Sequence, residues 1–190
     1  VENNKKNNVE IYFGNENKFS KYESRKILQK VLDMSILYLD SPMIYNSFVN
    51  IDLINKIRRK KKNNIFFSNG IPDVYSGLIL LLNSQSYYKA NFPIGLAGIS
   101  NSSLGANLSK KDKSFRYIIK NMEYFNIKRV PPIPSYYLCM LEPFDEICED
   151  FNEYKKYLIN FHRLKIRVES EISNESQTDK KFYKDKLKTL

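Results

Sequence analysis

The stretch from Leu78 to Leu82 is apolar without a break, and it follows Ile71-Pro72-Asp73-Val74-Tyr75-Ser76-Gly77. An apolar run of this kind has to be enclosed, so much of the chain must pack around it. Upstream stand Ile65-Phe66-Phe67 and then Ser68-Asn69-Gly70, which read as a short strand and a turn. The whole segment therefore reads as strand, turn and helix. Pro72 suits the first helical position, where its missing N–H costs nothing, and the helix dipole favours Asp73 beside it. Helix capping by itself accounts for such a Pro-Asp pair. A second role is open to it, because open α/β proteins place their chemistry at the carboxyl ends of strands. A carboxylate partly desolvated there can act as a general base.

Around this segment the periodicity predicts a helix-rich α/β protein with about six helices and a few strands. Val9-Glu10-Ile11-Tyr12-Phe13 reads as a strand ended by Gly14. A helix is expected from Ser20, with Glu23 completing a capping box, and Ile27, Leu28, Val31, Leu32, Ile36 and Leu37 carry its stripe to Asp40. Ser41-Pro42 breaks it, and residues 43–49 read as extended or loop. A second helix is expected from Asp52, ending in Arg58-Arg59-Lys60-Lys61-Lys62, cations that suit a helix C-terminus without any ligand. Residues 84–91 are polar and aromatic with no element assigned, 92–99 read as a short strand, and 100–107 as a loop able to offer backbone N–H groups and hydroxyls to a phosphate or sugar. Further helices are expected at about 111–125, 135–149 and 151–170. Residues 1–170 are expected to form one domain, and 171–190 a charged tail, helical or flexible.

Composition limits the partners. No apolar run approaches the roughly 20 residues that span a bilayer. With two cysteines, Cys139 and Cys148, and one histidine, His162, the chain cannot supply four Cys/His ligands to a zinc ion. Reduced thiols in a cytoplasmic protein are expected. The formal net charge of +10 admits nucleic acid, an anionic membrane or a phosphorylated ligand, although no nucleic-acid-binding motif accompanies it. The acidic pair Glu149-Asp150 lies among Asp145, Glu146 and Glu153, which reads as a solvated acidic face or a helix start. There is no nucleophile elbow, no P-loop and no Gly-x-Gly-x-x-Gly.

Three separated blocks carry a family resemblance. They are Ser41-Pro42-Met43-Ile44-Tyr45-Asn46-Ser47-Phe48-Val49; Ile65-Phe66-Phe67 with Pro72-Asp73-Val74-Tyr75-Ser76; and Gly98-Ile99-Ser100-Asn101-Ser102-Ser103-Leu104-Gly105-Ala106. In this order they resemble the acceptor-side, C-terminal half of bacterial family 2 glycosyltransferases, inverting enzymes with the A-type fold, over roughly residues 35–150. The resemblance implies that Asp73 is the catalytic base toward an acceptor sugar hydroxyl. It implies that Asn69, Gly70, Tyr75 and Ser76 shape the acceptor side, and that Ser100, Asn101, Ser103 and Asn107 belong to a loop over the site. It also implies a nucleotide-sugar donor, a saccharide or glycolipid acceptor and, for the complete enzyme, Mn²⁺ or Mg²⁺. The family's Asp-x-Asp metal motif and nucleotide-binding half are missing from these 190 residues, so either a piece of a longer enzyme, the favoured expectation, or a degenerate relative is expected. Its basic surface would suit the inner face of the membrane. A non-catalytic basic module for nucleic acid or another anionic partner is the alternative expectation.

Overall fold

The computed structural model describes residues 18–67, 71–92, 133, 135–173 and 177–188. The expected strand at 9–13, the apolar segment from 93, the loop 100–107 and the helix at 111–125 lie outside the described residues. Those that are described form a mixed, helix-rich α/β structure. Its elements are β1 (Phe19–Glu23), α1 (Ser24–Leu32), α2 (Ile51–Lys60), α3 (Pro72–Asn83), β2 (Ser86–Ala90), α4 (Leu141–Asp150), α5 (Phe161–Ile172) and α6 (Gln177–Leu187). Tight 3₁₀ turns at Tyr38–Asp40, Ile44–Asn46, Leu138–Met140 and Asn152–Tyr154 join them.

Helix α3 is the centre, as the apolar run requires. Every residue from Val74 to Leu81 is buried, including Ser76 and Gly77. Helices α1 and α4 and the turns at 38–40 and 44–46 pack against it. Burial of Leu78, Ile79, Leu80 and Leu81, each at 2% exposure or less, is worth about 1.5–3 kcal/mol per side chain in transfer free energy. Gly77 permits the closest approach. A Cβ there would stand 2.8 Å from Ser41 Cβ and 3.1 Å from Met43 Cγ, so the chain entering the 44–46 turn lies directly on the helix.

Several elements differ from the expectation. Ile65–Phe67 is not a strand, and among the described residues the sheet is one antiparallel pair, β1 against β2, in register from Phe19 opposite Ala90 to Glu23 opposite Ser86. Asp73 therefore follows an irregular segment rather than a strand. Ser20 pairs in β1 instead of capping a helix, and α1 starts at Ser24, its N–H bonded to the Gln85 carbonyl. Residues 86–90, to which the sequence assigned no element, form β2.

The first helix also ends early, at Leu32 rather than Asp40. Met34 takes a left-handed φ of 57°. Its N–H reaches Val31 O and the Ser35 N–H reaches Lys30 O at 2.9 Å, a Schellman stop with methionine where glycine is usual. The strain of about 1–2 kcal/mol for a residue with a Cβ is offset by full burial of the Met34 side chain.

The expected helices at 135–149 and 151–170 are each interrupted. A 3₁₀ turn precedes α4. Phe151, buried and extended at φ −133°, ends it. Asn160 then starts α5 by accepting the Arg163 N–H. Beyond residue 170 the chain is not a detached tail, since Tyr183 and Leu187 of α6 are buried in the core.

Candidate functional site

Asp73 stands in the first turn of α3 behind Pro72, half-buried, with Oδ1 accepting the Val74 N–H at 3.0 Å. Among the described residues its carboxylate meets no cation, and Oδ2 carries no hydrogen bond. Its charge falls instead on Tyr38, Tyr45 and Cys139, raising all three. For each of them burial is the larger cause. The Cys139 thiol is pushed up to about 12 by burial, with Asp73 and Glu171 adding to it. It donates to Ser135 O at 3.3 Å, and burial favours the neutral thiol over the thiolate. Tyr45 is mostly exposed and Tyr38 is buried. The arrangement is thus one carboxylate whose charge reaches two phenols and a thiol, each raised chiefly by burial.

Glu171 of α5 also acts on the Cys139 thiol. Its Oε1 accepts the Tyr136 N–H at 3.3 Å, whereas Oε2 is buried without a hydrogen bond. Burial pushes this carboxyl above the usual carboxylate range, against the opposing hydrogen bonds from Ser135 and Tyr136.

The two described acceptor-side residues do not join Asp73 in an open site. Ser76 is fully buried; its Oγ donates to Asp73 O at 2.9 Å and accepts the Ile44 N–H at 3.2 Å, which ties the 44–46 turn to α3. Tyr75 is also fully buried and points away, toward Lys61. On a helix, residues two apart cannot share a face, so Asp73 and Tyr75 were bound to diverge once the segment became helical. Asn69, Gly70, Ser100, Asn101, Ser103 and Asn107 lie outside the described residues.

Lys61 is what a reading of the basic run at 58–62 misses. Its side chain has no solvent exposure. Nζ donates to Tyr75 Oη at 2.9 Å, lies 3.1 Å from Asp150 Oδ2 and 3.5 Å from Glu146 Oε1, and sits 4.6 Å from the centre of the Tyr75 ring. Burial pulls the ammonium down, but Tyr75 and Asp150 outweigh it and the net shift is upward. This cluster joins the end of α2 to α3 and α4, so Asp150 is a partner in an ion cluster rather than part of a solvated acidic face. A buried lysine standing fourth of five consecutive cations carries no signal of its own in the sequence.

The described residues do not fit the divalent metal that the resemblance implies. No group of three or more His, Cys, Asp or Glu is arranged to hold an ion among them, and the neighbouring carboxylates Glu146 and Asp150 already share Lys61. His162 is exposed in the first turn of α5. No described helix is long and apolar enough to cross a membrane. Compared with family models, curated proteins and solved structures, the chain finds no match.

Proposed function

We propose that this chain forms the acceptor side of an inverting glycosyltransferase with an A-type fold, moving a sugar from a nucleotide-sugar donor to a saccharide or glycolipid acceptor. The observation that carries the reading is the setting of Asp73: a half-buried carboxylate at a helix start, without a cation among the described residues, beside the exposed phenol of Tyr45. A base must keep a lone pair open to the substrate proton, and a carboxylate already locked in an ion pair does not. Asp150 is in that second condition.

In the proposed reaction Asp73 accepts the proton of an acceptor hydroxyl as that oxygen attacks the anomeric carbon. The bond to the nucleoside diphosphate breaks on the opposite face, so the configuration inverts. Tyr45 donates a hydrogen bond to the acceptor sugar. The three sequence blocks support the same assignment. Tyr75 and Ser76 hold the helix in place and take no part in contact with the acceptor.

The test is Asp73→Asn in the complete gene product, followed by release of nucleoside diphosphate from a nucleotide sugar in the presence of acceptor. Loss of a positioned general base should cut turnover by about 10²- to 10⁴-fold. The melting temperature should hardly move, since a first-turn carboxylate contributes only about 0.3–1 kcal/mol to the helix. Turnover close to wild type in a folded variant would refute the assignment.

A further inference from the structure

Exposed apolar side chains bracket a cationic helix between Tyr45 and Phe67. Phe48 is 94% exposed and Ile51 65% ahead of the outer face of α2, and Ile65 is 52% exposed behind it. Between them Lys56, Arg58, Arg59, Lys60 and Lys62 are all exposed, against one carboxylate, Asp52. Among the described residues Lys60 meets an acid, Glu153 at 3.5 Å, and the other four cations meet none. The helix dipole accounts for cations in the last turn of α2. It does not account for a phenylalanine left almost wholly in water.

Helical spacing arranges these groups. Ile57 is buried and Leu53 and Ile54 are half-buried on the inner side. Ile51, Asn55, Arg58 and Arg59, at i, i+4, i+7 and i+8, share the outer side. The outer side therefore begins apolar, with Phe48 just before it, and ends cationic.

We infer that this segment docks the protein on an anionic lipid bilayer. The arginines and lysines meet headgroup phosphates, and Phe48 and Ile51 enter the boundary between headgroups and acyl chains. Cations alone would serve a nucleic acid equally well. Ile51 decides between the two: an aliphatic side chain gains burial in a bilayer and little against a nucleic acid, whereas the Phe48 ring alone would serve a lipid boundary or a stacked base. The inference stands apart from glycosyl transfer and uses none of the residues around Asp73 except the neighbouring 44–46 turn.

Flotation of the full chain with vesicles tests it, using phosphatidylcholine alone and phosphatidylcholine with about one-third phosphatidylglycerol. Binding is expected to the anionic vesicles and to weaken as salt rises. Phe48→Ser with Ile51→Ser should weaken it at least about tenfold, and Arg58→Gln with Arg59→Gln roughly 30-fold. All four positions are exposed, so circular dichroism should find both variants folded. Equal binding to the neutral vesicles would overturn the inference. So would undiminished binding by the folded Phe48/Ile51 variant, or retention by single-stranded RNA without any binding to anionic vesicles.

Discussion

Replacing Lys61 with methionine keeps most of the buried aliphatic stem and removes the charge, leaving Glu146 and Asp150 beside Tyr75 without the ammonium that holds them together. Breaking a fully buried pair costs about 3–5 kcal/mol. Here the lysine is sealed, but the two carboxylates are 23% and 21% exposed and water can reach them from outside. The expected loss is therefore about 2–4 kcal/mol, the lower part of that range and below. In urea denaturation followed by circular dichroism, with a slope of about 2 kcal/mol/M for a domain of this size, the midpoint should fall by about 1–2 M. Adding Glu146→Gln and Asp150→Asn should restore much of the loss, because the uncompensated charges disappear. The cluster also has a pH signature. The folded ammonium titrates above its ordinary 10.5, so its contribution is complete below that value and is lost as pH rises through the folded value. Wild type should lose stability above pH 10.5 more steeply than Lys61→Met. A midpoint within about 0.3 M of wild type, with no alkaline difference, would refute the view that this lysine holds α2 to α3 and α4.

Gly77→Ala should destabilise the fold by about 1–2 kcal/mol: overpacking against Ser41 and Met43 costs about 1–3 kcal/mol, and the better helix propensity of alanine returns up to about 1. A raised melting temperature would show that the 41–43 segment gives way. Glu171→Gln should flatten the acid side of the stability profile. The folded carboxyl titrates above its ordinary 4.5, so its favourable contribution is complete below that value and is lost as pH rises through the folded value. At neutral pH the glutamine variant should be at least as stable as wild type in a thermal melt, and a clear loss there would mean that the ionised carboxylate is held by groups that favour its charge.

Legibility of the fold followed the strength of the local signal. Helix α3 was readable to its first residue, since Pro72, Asp73 and the apolar run agree. Helix α2 was placed within a residue at its start, where Asn50 Oδ1 accepts the Asp52 N–H. The strands were missed because the two-stranded ribbon contains no buried residue, and its half-buried face offers only Ser20 and Tyr22 in β1, too little apolar alternation to display. The end of α1 was missed because Met34 stands where glycine would announce a left-handed residue. At the candidate site, Asp73 was legible from its neighbours in the chain. Tyr38 and Cys139 were not, since each feels its charge from a separate element, and Glu171 adds to the charge at Cys139 from a third. The Lys61 cluster depends on contacts across 14 and 89 positions of sequence, between Lys61 and Tyr75 and between Lys61 and Asp150, which no short-range pattern encodes.

The burial of α3 from all sides has a consequence for synthesis. The ribosome makes α1 before α3 and α4 long after it, so a nascent chain that has just completed β2 carries α3 with its α1 side covered and its α4 side still bare. Leucine-rich surface left open over that interval is what chaperones bind and what aggregates when they are scarce. Release of chains that stop before Leu141 should therefore yield material that precipitates or stays with a holdase, whereas chains carried through Asp150 close over the helix and become soluble.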